Sequence, residues 1–171
     1  MSKSASETLR IAGVVRESVV DGPGLRYVIF AQGCPHRCPG CHNPHTWDPA
    51  GGYEVAGAEL LADIGRNPLL KGVTFSGGEP FLQAGAFAIL GRVLRERGYD
   101  IVTYTGYRYE ELQGMKNPQV RELLDFTDIL IDGPFVLSER DLTLPFRGSR
   151  NQRIIDLRAS RAHGTVVELS F

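Results

Sequence analysis

"AQGCPHRCPGCHNPHTWD", residues 31–48, holds every cysteine of the chain: Cys34, Cys38 and Cys41, all within eight residues. The apolar, β-branched run 25–31 (LRYVIFA) leads into it and reads as a strand, as does 9–15 (LRIAGVV), with the turn-rich "VDGPG" between them. Beyond the cysteines, 54–66 places Val55, Leu61 and Ile64 at helical spacing before Asn67-Pro68 stops the run. A strand at 71–75 (KGVTF), the turn "SGGEP" and a helix from about 80 to 97 follow. In that helix Phe87, Leu90, Val93 and Leu94 share a face, and Gly98 closes it. The alternation continues with a strand at 100–104, a helix at 117–126 that turns Val120, Leu123 and Leu124 inward, and strands at 128–132, 153–157 and 165–171. Such alternation predicts parallel βαβ units with right-handed crossovers. The 171 residues fall short of the ~250 of a closed eight-fold barrel, so a partial, open α/β barrel or a curved sheet is expected. The loops at the C-terminal strand ends then share one rim: the cysteine loop, "SGGEP", "TGY" after Tyr104 and "GPF" after Asp132.

Composition narrows the function. At 42% hydrophobic and 23% charged, the chain fits a single globular domain, here 9–171, behind a polar tail at 1–8 expected to be disordered. A net charge of −1 gives no footing for nucleic acid, and no apolar run approaches the ~20 residues that span a bilayer. Three clustered cysteines do not make a disulfide framework, which suits a cytoplasmic protein with reduced thiols free to bind metal.

The spacing C-x3-C-x2-C admits two metals. Zinc prefers a closed tetrahedron, whose fourth ligand would have to be His36, His42 or His45 of the same loop. A cubane [4Fe–4S] cluster instead takes one thiolate at each of three irons and leaves the fourth iron open to another ligand. Pro35 and Pro39 stiffen the loop, while Gly33 and Gly40 let backbone amides approach sulfur.

Together with "SGGEP" one strand–helix unit later, this pattern resembles the radical S-adenosylmethionine superfamily. Within it, "VDGPGLRYVIFAQGCPHRCPGCHNPHTWD", "TFSGGEP", "YTGY", "DILIDGPF" and "LPFRGSRNQRIIDL" resemble the activating proteins of anaerobic ribonucleoside-triphosphate reductase, from about residue 10 to 158. The resemblance implies a radical S-adenosylmethionine domain with Cys34, Cys38 and Cys41 as cluster ligands. It places the cofactor near Gly40, Cys41, His42, Gly77, Gly78 and Glu79, with Glu79 a charge partner for its ammonium. It further implies an oxidoreductase in which the 5′-deoxyadenosyl radical takes hydrogen from a backbone glycine of the reductase large subunit. Reduced flavodoxin or ferredoxin is the implied electron donor. The alternatives are activation of another glycyl-radical enzyme, such as pyruvate formate-lyase, or a non-catalytic iron–sulfur or zinc module.

Other motifs have plain readings beside functional ones. "SGGEP" suits a turn with Pro80 at a helix start and Glu79 facing the helix dipole, although that does not require Gly77 and Gly78, which clear space for a ligand. "DGPG" (21–24) suits a turn or an access element. Arg147, Arg150 and Arg153 are either a solvated loop face or part of the site. Asp132 ends a strand beside the rim, where it would hold the cofactor or a cation; Trp47 and Tyr107 read as rim packing, and His163 as structural or exposed.

Overall fold

The computed structural model describes residues 7–171. Among these, seven strands and five α-helices follow in the order β1 (Thr8–Ser18), β2 (Arg26–Ala31), β3 (Tyr53–Ala56), α1 (Gly57–Ile64), β4 (Gly72–Gly77), α2 (Ala84–Glu96), β5 (Asp100–Tyr104), α3 (Tyr109–Gly114), α4 (Pro118–Phe126), β6 (Ile129–Asp132), β7 (Arg153–Asp156) and α5 (Leu157–His163). The strands form one sheet, β3-β1-β2-β4-β5-β6-β7. Its centre, β2-β4-β5-β6, is parallel as expected. The flanks are not: β1 runs antiparallel to both β2 and β3, and β7 runs antiparallel to β6. The sheet is therefore mixed and open rather than a run of βαβ units.

Three expected boundaries move. Val55 belongs to β3, where Tyr53–Ala56 pair with β1, so the helix expected over 54–66 starts at Gly57. Residues 165–171 make an isolated bridge, Ile155 to Glu168, in place of a full strand. Of the tail expected at 1–8, residues 1–6 lie outside the described residues, and Thr8 opens β1.

All five helices follow from local chemistry plus one buried face. In α2 the buried residues Ala84, Phe87, Ala88, Leu90, Gly91 and Leu94 recur at three- and four-residue spacing. In α4 Pro118 occupies the first turn and the Asn117 side chain accepts from Gln119 N at 2.9 Å, so the cap fixes the start. α2 packs against α4, and both cover Val73, Phe75, Ile101 and Leu130 of the sheet. Phe75 and Phe87 meet at 4.8 Å between ring centres, each fully buried and contributing about 1.5–3 kcal/mol by the transfer scale.

On the opposite face a smaller cluster gathers Val102, Ile131 and Ile154 with Tyr104, Phe146 and Leu169. The "DGPG" turn is pinned under this face by Arg26, which is fully buried. Its guanidinium donates to Thr74 Oγ1 (2.8 Å) and Pro23 O (2.9 Å) and pairs with Asp100 at 2.6 Å, while Thr74 Oγ1 donates to Asp21 O at 2.8 Å. Charge buried this deeply needs such partners. The result holds Val19, Val20 and Asp21 at the mouth of the cleft described next.

Candidate functional site

The rim expected from the sequence encloses a cleft of about 630 Å³. Cys34, Cys38 and Cys41 line it after β2, Gly77 and Gly78 at the end of β4, Thr105 and Gly106 after β5, and Gly133 after β6. The three cysteines are free thiols of intermediate exposure. Among the described residues no three His, Cys, Asp or Glu side chains converge as ligands of a single ion. Three thiols on the cleft wall match the donor set of a cluster, in which each sulfur binds its own iron. Asn43 N donates to Cys41 Sγ at 3.4 Å, the kind of amide contact that tunes a cluster's potential. Burial pushes the Cys34 thiol up, so metal binding there releases a proton.

Behind the wall sits Glu79, fully buried and outside the cleft lining. Its carboxylate accepts from four groups: His36 Nε2 (2.6 Å), Thr105 Oγ1 (2.8 and 3.0 Å), Gly106 N (2.9 Å) and Phe81 N (3.1 Å). The sequence suggested an ammonium partner facing a ligand. The structure makes Glu79 a strut that ties the cysteine loop, the β4 turn and the loop after β5 together. His36, considered above as a zinc ligand, is spent on this strut and stacks edge-on against Tyr107 at 4.5 Å.

The two glycines before Glu79 have a backbone reason as well. Gly77 sits at φ +90°, and a Cβ there would come within 2.6 Å of Ala31 N. A Cβ on Gly78 would collide with the Gly33 carbonyl oxygen. Gly78 N donates to Ala31 O and Glu79 N to Gly33 O, both at 2.8 Å, so the turn is laced to the root of the cysteine loop. The glycines permit this approach of two backbones, a cause the sequence reading had not given them.

Residues 20–155 match the model of the 4Fe-4S single cluster domain family. The chain is 36% identical over 148 residues to the anaerobic ribonucleoside-triphosphate reductase-activating protein of Escherichia coli K12, covering 82% of this chain and 94% of that one. The chain belongs to this activating-protein family. A pyruvate formate-lyase-activating enzyme of Clostridium pasteurianum is 38% identical over 130 residues, 72% of this chain and 55% of that protein. The crystal structure of QueE from Escherichia coli superimposes with a TM-score of 0.47 at 23% identity, covering 58% of this chain and 53% of that one.

In this activating-protein homologue the remaining candidates divide. Cys41 and His42 line the cleft, and His42 tilts onto Phe135 at 5.3 Å. Gly40 lies outside the lining at φ +76°, where a Cβ would press on Leu137 and Phe135. Trp47 and Tyr104 line the cleft, and Tyr104 hydroxyl donates to Phe146 O at 2.6 Å. His163 is exposed. Asp132 is committed elsewhere: it pairs with Arg153 through Nε at 3.0 Å and Nη2 at 2.5 Å, and accepts from Tyr109 N at 2.8 Å at the start of α3.

Arg153 also donates to Glu110 at 3.0 and 2.7 Å, and the guanidinium holds the Glu110 carboxyl down at about 2. A folded-state value below the ordinary carboxylate range means that the pair stabilises above about pH 4.5 and that this contribution is lost as pH falls toward 2. Glu110 is half exposed, so solvent limits the gain to below about 1 kcal/mol. Glu110→Gln is expected to lower the urea midpoint slightly at pH 7 and by less at pH 3. A loss that grew on acidification would contradict this linkage.

Among the described residues no helix is long and apolar enough to cross a membrane.

Proposed function

We propose that this protein activates an anaerobic, class III ribonucleoside-triphosphate reductase by radical S-adenosylmethionine chemistry, leaving a glycyl radical on the partner's large subunit. The observation that carries this reading is a set of three thiols, with no fourth cysteine in the chain, on one wall of a cleft beside the glycine-rich end of β4. When bound there, a [4Fe–4S] cluster supplies the electron for reductive cleavage of the cofactor. The chain's own residues do the rest. Cys34, Cys38 and Cys41 hold the metal, Glu79 fixes their loop, and Gly77 and Gly78 present a strand end without side chains. His42 lines the cleft next to Cys41.

The mouth of the cleft also supports a polypeptide substrate. Val19, Val20 and Leu142 line it and are 67%, 71% and 75% exposed, an apolar lip of a kind that marks a contact surface. A backbone glycine on a loop of the partner would enter between these residues. Reduced flavodoxin or ferredoxin supplies the electron, and the reaction belongs in the cytoplasm.

The deciding experiment combines the anaerobically reconstituted protein, S-adenosylmethionine, a reductant and the reductase, with deuterium at the target glycine's α-carbon. Electron paramagnetic resonance should show a glycyl radical on the reductase, and deuterium should appear in 5′-deoxyadenosine. A radical without deuterium transfer would refute direct abstraction. Radical formation on pyruvate formate-lyase alone would favour the second reading, which the Clostridium relative supports. Absence of cofactor cleavage would leave a non-catalytic metal module.

A further inference from the structure

The three arginines of "FRGSRNQR" (146–153) have three different surroundings. Arg153 is locked between Asp132 and Glu110, and Arg150 is exposed. Arg147 lines the cleft and, among the described residues, pairs with no carboxylate. Its Nη1 donates to Gln152 O at 2.9 Å, whereas its Nε is buried and has no partner. Among the described residues the Nε–Nη2 edge therefore has no acceptor, and this edge is the planar fork that fits both oxygens of a carboxylate.

The loop around Arg147 is built to hold that edge in place. Phe146 has φ +63°, a left-handed conformation that a bulky residue adopts only when its surroundings enforce it. The enforcement is visible: Tyr104 hydroxyl donates to Phe146 O, and the Phe146 ring meets Phe171 edge-on at 5.1 Å. On the other side, Gln152 Oε1 accepts from Gly148 N (2.9 Å) and Ser149 N (3.2 Å), while its Nε2 donates to Gly133 O at 3.1 Å. Among the described residues Arg147 is the only Lys or Arg on the cleft wall, where the only Asp or Glu is Asp21. Trp47, which also lines the cleft, carries a second buried donor, Nε1, without a partner among the described residues. Buried donors left unsatisfied are rare because they cost free energy, and two in one cleft point to a ligand rich in acceptors.

We propose that Arg147 is a carboxylate-binding residue of the cleft, its Nε–Nη2 fork taking the carboxylate of the bound ligand; this rests on the function proposed above. Two sources offer that group: the methionine moiety of S-adenosylmethionine, or an acidic side chain on the partner's loop.

Equilibrium dialysis of anaerobically reconstituted wild type, Arg147→Gln, Arg147→Lys and Arg150→Gln against S-adenosylmethionine and its decarboxylated analogue tests it, with thermal midpoints taken alongside. If the cofactor supplies the carboxylate, Arg147→Gln loses about 10- to 100-fold in affinity for S-adenosylmethionine. The same variant binds the decarboxylated analogue as the wild type does, Arg147→Lys recovers part of the loss, and Arg150→Gln matches wild type. If the partner supplies it, cofactor affinity holds and the KM for the reductase rises by a similar factor at unchanged kcat. Equal weakening of cofactor and analogue, or no change in either cofactor affinity or reductase KM, overturns the assignment. Should Arg147→Gln fail to fold, Arg147→Lys carries the same comparison. A wild type that binds no S-adenosylmethionine would instead defeat the proposed function and is distinguishable at the first measurement.

Discussion

Replacing Cys34, Cys38 or Cys41 by alanine is expected to reduce iron after anaerobic reconstitution from about four per chain to below about one. In the proposed cluster each thiolate would anchor its own iron at one corner of a cubane. With no other cysteine in the chain, no nearby sulfur can substitute. Iron and sulfide analysis, with the absorbance of the reconstituted protein, reads the outcome directly and does not depend on activity. His42→Ala and His45→Ala are the informative companions, because a single zinc would need one of the loop's histidines as its fourth ligand. Both should keep their iron. If either lost metal as completely as the cysteine variants, a mononuclear site would replace the cluster. A cysteine variant that retained four irons would remove that residue from the ligand set.

The rim of functional loops was legible because it depends on a property the sequence carries: short β-branched strands, each followed by a glycine-rich or cysteine-rich loop. β4 and β5 are short, apolar and bounded by glycine, and they emerged where expected. The flanks were harder. Val55 lies six residues before Leu61, off the face that Leu61 and Ile64 share, so it does not belong to the helical stripe, and pairing with β1 claims it for β3. The two missed helices are six and seven residues long, too short for a clear apolar stripe. Their signals were terminal instead. Glu111 accepts from Arg108 N at the start of α3, and Asp156 caps α5, which ends at Gly164 in a left-handed conformation. Reading 153–157 as a strand consumed that cap.

The cysteines could be singled out from spacing, but the roles of Glu79, Asp132 and the arginines could not. A carboxylate in "SGGEP" and one in "LIDG" look alike in sequence. One accepts four hydrogen bonds within the wall, and the other forms an ion pair with an arginine 21 residues away. Nothing local distinguishes them, because their partners come from other loops. Arg147 and Arg153 differ for the same reason. Only the fold shows which guanidinium has found its carboxylate and which has its fork free.

Glu79→Ala is expected to destabilise the protein by about 3–5 kcal/mol, the usual cost of removing one partner from a buried charged network. The carboxylate is fully buried, so its loss strands His36 Nε2, Thr105 Oγ1, Gly106 N and Phe81 N, with no room for solvent to replace all four contacts. The damage should extend to the metal: with His36 released, the segment between Cys34 and Cys38 loses its anchor, and iron content should fall with stability. Glu79→Gln separates the strut from a ligand-contacting role. Its amide oxygen still accepts, but its NH2 group must face donors, so stability should drop by an intermediate amount. Variant protein that reconstitutes should bind S-adenosylmethionine with nearly wild-type affinity, because Glu79 does not line the cleft. A Gln variant as stable as wild type but much weaker for the cofactor would reverse this assignment and make Glu79 a partner of the cofactor's ammonium. An Ala variant within about 1 kcal/mol of wild type would mean that the network holds nothing in place.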